Sequence, residues 1–170
     1  MSEASRVAIL TGGSGGIVPG IAEELARAGF AIVLTARGID ALRAAADRIG
    51  ANTGIAIAAF ASDARDVASS KALVAQVLDR FGRVDVLVNA AASSNPIGGA
   101  IEDVDVDALM ADVDVKVGGY LRYAQAVVPT MKRQGHGHIV NIGGLTGRSS
   151  DTLSGLRNAA VSHMTKVLSD

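Results

Sequence analysis

The chain has no cysteine. Its absence excludes disulfides, thiolate nucleophiles and cysteine-held zinc or iron–sulfur centres, and it fits a reducing, cytoplasmic setting. There is no tryptophan, and two tyrosines and three phenylalanines are too few rings for a platform that stacks single-stranded nucleic acid. Neither sign of charge dominates: 16 Lys and Arg against 17 Asp and Glu leave a net charge of -1, so no basic field draws in nucleic acid or an anionic membrane. A long hydrophobic run is missing too. The opening stretch Val7-Ala8-Ile9-Leu10 meets glycine after one threonine, too soon for a signal sequence core or a membrane span. At 170 residues, one domain over 1–170 is expected.

Glycine is what the chain has in quantity. Twenty glycines exceed the usual share of about 7%, and they stand between apolar runs, where tight turns are needed. Residues 7–10, 31–35, 55–60, 84–89 and 138–142 are rich in Val, Ile and Leu without strict alternation, the mark of strands buried on both faces. Between them, apolar residues recur with a helical period over 21–28, 41–49, 67–80, 107–132 and 154–168. The fourth segment is weakened by Gly118 and Gly119. Strands alternating with helices predict an α/β fold, a doubly wound parallel sheet with helices on both faces and a ligand crevice at the strand C-termini.

The first strand runs into Thr11-Gly12-Gly13-Ser14-Gly15-Gly16-Ile17-Val18-Pro19-Gly20 and then a helix. Residues without a Cβ let backbone N–H groups approach a phosphate, and the helix start adds partial positive charge. The loop is no P-loop, since no Gly-Lys-Ser/Thr closes it, and its spacing departs from G-x-G-x-x-G, which would want a glycine at Val18. It resembles the T-G-x-x-x-G-I-G loop of the short-chain dehydrogenase/reductase family. Asp63 after the third strand, Asn89-Ala90-Ala91-Ala92 closing the fourth, Asp112-Val113-Asp114-Val115-Lys116 and the fifth strand His138-Ile139-Val140-Asn141-Ile142 are similar to that family's motifs in the same order. The resemblance implies a Rossmann-type sheet, a nicotinamide cofactor and a cofactor-binding set of Gly12, Ser14, Gly16, Ile17, Arg37, Asp63, Ala64, Asn89 and Ala90. It implies a small-molecule substrate for an active member, and a homo-oligomer is expected. Thr35-Ala36-Arg37 at the end of the second strand offers a cation for a 2′-phosphate and no acid for ribose hydroxyls, so NADP is favoured over NAD. Val18, in place of the loop's last glycine, is expected to push the phosphate turn outward.

The family's catalytic residues are not matched. Aligned on Asn158-Ala159-Ala160-Val161, its tyrosine position holds Ser154 and its lysine position Asn158. Its serine after the fifth strand corresponds to Gly144, and its helix asparagine to Asp114. A serine hydroxyl is a far weaker acid than a phenol, neutral Asn158 supplies no charge, and losing one positioned general acid costs about 10²–10⁴ in rate. The catalytic residues are therefore unassigned. Tyr120 and Tyr123 are expected to lie far from that place, Arg157 to be a surface charge, and His163 to be partly buried. The chain stops at Asp170, before the elements the family adds, so the C-terminal edge of the sheet is expected to be incomplete. Asp103, Asp105, Asp107 and Asp114 imitate calcium-loop spacing, but Ala108 stands at the turn and helix capping explains the acids better. His136-Gly137-His138 lacks a third metal ligand nearby. The sequence thus reads as an NADP(H)-binding, oxidoreductase-like domain of weakened catalysis, with a non-catalytic nucleotide-binding or assembly partner as the alternative.

Overall fold

The computed structural model describes residues 6–93, 97–148 and 152–169. Five parallel strands, β1 (Val7–Thr11), β2 (Ala31–Ala36), β3 (Ala58–Ala61), β4 (Val86–Asn89) and β5 (His138–Asn141), lie in the order β3-β2-β1-β4-β5. The helices are α1 (Val18–Arg27), α2 (Ile39–Thr53), α3 (Val67–Phe81), α4 (Val106–Val113), α5 (Gly119–Gln134) and α6 (Gly155–Ser169). This is the expected doubly wound Rossmann-type sheet. Among the described residues no helix is long and apolar enough to cross a membrane.

The pleat sorts the core into two layers. Val7, Ile9, Val33 and Leu87 join Leu73 and Val77 of α3 and Tyr123 and Val127 of α5. Ala8, Leu10, Ile32, Leu34, Val86 and Val88 join Val18 and Ala22 of α1 and Leu42 and Ile49 of α2. Successive side chains of a strand point to opposite faces, so uniformly apolar strands are what a sheet covered twice requires. Each fully buried Val, Leu or Ile contributes about 1.5–3 kcal/mol.

Four elements differ from the sequence expectation. β5, expected to be buried on both faces, is exposed or partly buried along its length, as the edge strand of the sheet. The third strand begins at Ala58, where pairing with Val33 starts; Ile55 and Ile57 pack on the α1/α2 layer from outside the ladder. The first helix starts at Val18 with proline in its first turn, where a missing N–H is harmless. The helix expected over 107–132 is broken into α4, a π-helical turn at Asp114–Gly118 and α5. At Gly119 the helix nearly touches the loop after β3, because a Cβ there would sit 2.8 Å from that of Ala64.

Candidate functional site

β1 and β4 are neighbours, yet the chain leaves β1 toward α1 on one face and β4 toward α4 and α5 on the other. Their C-terminal ends therefore part, and a crevice opens between them. Thr11 closes its floor: its hydroxyl oxygen accepts from the Ala90 N–H at 2.9 Å and the Ala91 N–H at 3.1 Å. Gly12 makes this approach possible, since it has φ +74° and a Cβ would stand 3.0 Å from the Cα of Ala91. The Gly13 N–H donates to the Thr35 carbonyl at 3.0 Å, anchoring the turn to β2. Beyond it the turn is open. Ser14 and Gly16 are exposed, Gly15 and Gly16 face empty space, and the preceding Ile17 gives the start of α1 no side-chain cap. A helix N-terminus with unsatisfied N–H groups behind an open glycine turn suits an anion. Val18 is 2% exposed and packs in the α1/α2 layer, so the core takes up the side chain expected to push the turn outward. Asn89, wholly buried at the end of β4, donates to Asn141 Oδ1 at 2.9 Å and the Tyr120 carbonyl at 3.3 Å, while its own Oδ1 has no partner.

On the other side of β1, Arg37 is exposed just past β2, and its charge reaches Asp63, which follows β3. Arg65 was not foreseen. Its side chain and backbone N–H bind the Asp63 carboxylate, with contacts of 2.9–3.3 Å, and these bonds hold that carboxyl below its ordinary pKa. Ala64 is buried beneath Gly119.

At the far end of the crevice, the residues expected at catalytic positions are engaged in packing the chain together. The buried Ser154 hydroxyl accepts from the Ile97 N–H at 3.0 Å. Asp114 turns to Arg122 at 2.6 Å. Gly144 has no room for a side chain, because a Cβ would lie 2.6 Å from Asn158 Nδ2. Asn158 is pinned at both ends, donating to Thr146 Oγ1 at 2.6 Å and accepting from Lys116 Nζ at 2.6 Å. Lys116 also donates to the Gly143 carbonyl at 3.0 Å. Burial first, then repulsion from Arg157, lowers its ammonium to about 8 against the attraction of Asp112.

One expectation fails here. Arg157 is not a surface charge: it forms an ion pair with buried Asp112 and donates to the Ser93 carbonyl at 3.1 Å. The Tyr120 hydroxyl donates to the Ile142 carbonyl at 3.1 Å, beside the loop after β5, and burial raises its pKa. The long helix packs directly beneath the loop after β5. Spacing carried a signal, because Asp112, Lys116 and Tyr120 recur at four residues and share a helix face. His163 is exposed rather than partly buried, as its place on α6 faces solvent. Asp105 caps α4, accepting from the Ala108 N–H at 2.9 Å, and among the described residues no three acids or histidines gather as a metal site.

A model of the family described as short chain dehydrogenase matches residues 6–169. The chain belongs to the short-chain dehydrogenase family. It is 36% identical over 166 residues to an uncharacterized oxidoreductase of Staphylococcus saprophyticus, covering 96% of this chain and 70% of that protein. It is 30% identical to the 7alpha-hydroxysteroid dehydrogenase of Bacteroides fragilis, covering 96% of this chain and 64% of that one. Among solved structures, a metagenomic short-chain oxidoreductase in complex with NADP superimposes with a TM-score of 0.86 at 30% identity, over 96% of this chain and 74% of the other. NAD+-bound xylitol dehydrogenase does so with 0.89 at 25% identity, over 96% and 63%. The chain thus spans about two thirds of the length of these proteins, and short-chain dehydrogenases as a family bind NAD or NADP.

Proposed function

We propose that this short-chain dehydrogenase binds NADP(H) in the crevice between β1 and β4, and that nucleotide binding is better preserved in it than turnover. The observation that carries the reading is the open Gly15–Gly16 turn before the uncapped start of α1, with Arg37 and no acid at the end of β2. The turn and the first N–H groups of α1 would hold the pyrophosphate, and Arg37 a 2′-phosphate. The family resemblance gives Asp63 and Ala64 to the adenine side, and Asn89 and Ala90 to the middle of the crevice. When bound, the nicotinamide supplies a hydride donor or acceptor for a carbonyl or alcohol carbon. The correspondence of Ser154, Asn158, Gly144 and Asp114 to the family's catalytic positions argues against efficient hydride transfer, because none brings an activated phenol.

Titration with NADPH and NADH, followed by cofactor fluorescence or calorimetry, tests this. NADPH should bind tighter, and Arg37→Glu should weaken NADPH by about tenfold or more through the lost charge-assisted bond while sparing NADH. No binding at millimolar NADPH refutes the reading, and robust turnover of ketones or alcohols by pure protein refutes its second half. A second role, as an assembling partner, is favoured by the exposed apolar side chains Val106, Met110 and Leu121 on the long helix. We take their occupant to be a second copy of this chain.

A further inference from the structure

Among the described residues Lys116 is the only buried lysine, 5% exposed. Bringing an ammonium out of water costs several kcal/mol unless acceptors surround it. Lys116 has two, the Gly143 carbonyl and Asn158 Oδ1; its third N–H has no oxygen or nitrogen acceptor among the described residues, only the Tyr120 ring with its centroid 6.0 Å from the amine. The carboxylate one turn back on its helix, Asp112, pairs with Arg157 through Oδ1, and its Oδ2 has no hydrogen-bond partner, Lys116 included. If Lys116 only tied the helix to the loop, it would leave a buried donor unsatisfied for no return.

Its position points to what the third donor serves. Gly143 lies two residues past the end of β5, and the next turn of the helix, Tyr120, is bonded to Ile142 beside it and to Asn89 at the end of β4. Lys116 presents its amine from a π-helical turn, a distortion that recurs at functional sites. Arg37 stands at the opposite, β2 side of the crevice. A dinucleotide with its 2′-phosphate at Arg37 and its pyrophosphate at α1 must therefore lay its other half over the ends of β4 and β5.

We propose that Lys116 is a binding residue for the nicotinamide half of the dinucleotide, its third N–H donating to an acceptor oxygen of the nicotinamide riboside. The inference rests on the nucleotide-binding reading above. Charged and titratable groups facing the amine are Asp112 and Tyr120 from its own helix and Arg157 from α6, with Asn158 and the Gly143 carbonyl as neutral partners. Since the ammonium titrates near 8, affinity for the nicotinamide half should fall as pH rises through that value.

Calorimetric titration of wild type and Lys116→Met with NADPH and with adenosine 2′-phosphate 5′-diphosphate, which lacks the nicotinamide half, tests the assignment. The variant should bind NADPH about tenfold more weakly or worse and the fragment as wild type does. Wild type moved from pH 7 to 9.5 should show the same selective loss, with no substitution that could unfold it. Lys116→Arg, which keeps the charge, should lose less than the Met variant. Equal NADPH affinity in wild type and Lys116→Met, equal losses for both ligands, or a pH-independent ratio of the two affinities overturns the inference alone. Wild type that binds neither ligand at millimolar concentration overturns the nucleotide reading and this inference with it.

Discussion

Asp85 ties three separate stretches of chain together at the N-terminal edge of the sheet. It is 3% exposed, and its carboxylate accepts the Val7 N–H at 2.8 Å and two bonds from Arg83 at 2.8 and 2.6 Å, and meets His136 Nε2 at 2.8 Å. Burial alone would raise its pKa; Arg83, the Val7 N–H and His136 outweigh that and bring it from 3.8 to about 2. A carboxyl whose folded pKa is depressed stabilises the native state above its unfolded pKa and loses that contribution as pH falls through the folded one. The shift corresponds to about 2 kcal/mol. Stability should accordingly be flat in this respect near neutral pH and decline between about pH 4 and 2. Asp85→Asn should lower the unfolding free energy by about 2 kcal/mol at pH 7 and flatten the acid limb. Urea denaturation at stepped pH measures both, and an unchanged acid limb in the variant would show that Asp85 is not the responsible group.

At the level of elements, the sheet was readable from sequence because its three central strands are buried on both faces and most turns between strand and helix are marked by glycine, the turn from β3 to α3 excepted. The tight glycine turn after β1 was readable for the same reason, as Gly12 answers a close approach to Ala91. What failed was non-local. Nothing near Arg157 in sequence announces Asp112, 45 residues away, and nothing near Asn158 announces Lys116, 42 residues away. Periodicity sees a helix face but not what packs on it. Likewise, Gly144 and Asn158 read as two separate departures from the family pattern, whereas the fold makes them one: the Asn158 amide fills the space a side chain at 144 would need, and Lys116 and Thr146 hold it there. Restoring serine with Gly144→Ser should thus overpack the joint between α6 and the loop after β5, lowering stability by about 1–3 kcal/mol. In an Asn158→Ala background the same change should cost less. A double-mutant cycle in chemical denaturation reads the coupling, and additive effects would contradict the steric account.

On the scale of the whole molecule, the long helix carries a feature that the domain's own core does not use. Val106, Met110, Val113, Val117 and Leu121 follow at intervals of four, three, four and four along α4, the π turn and α5, and they leave one apolar stripe partly or fully in water. Val106 and Met110 are 61% and 57% exposed. Scattered apolar residues on a surface need no explanation, but a stripe that keeps helical register over four turns is the pattern by which one helix packs on another. With a net charge of only -1, two copies meet without strong long-range repulsion. Self-association of the protein through this face should therefore give a dimer in light scattering or sedimentation at micromolar concentration. Met110→Glu with Leu121→Glu should convert it to monomer while leaving the circular dichroism of the fold intact, because neither side chain enters the two core layers. A wild-type monomer at such concentrations would leave the stripe without a partner copy, and a dimer indifferent to both charges would place the contact elsewhere.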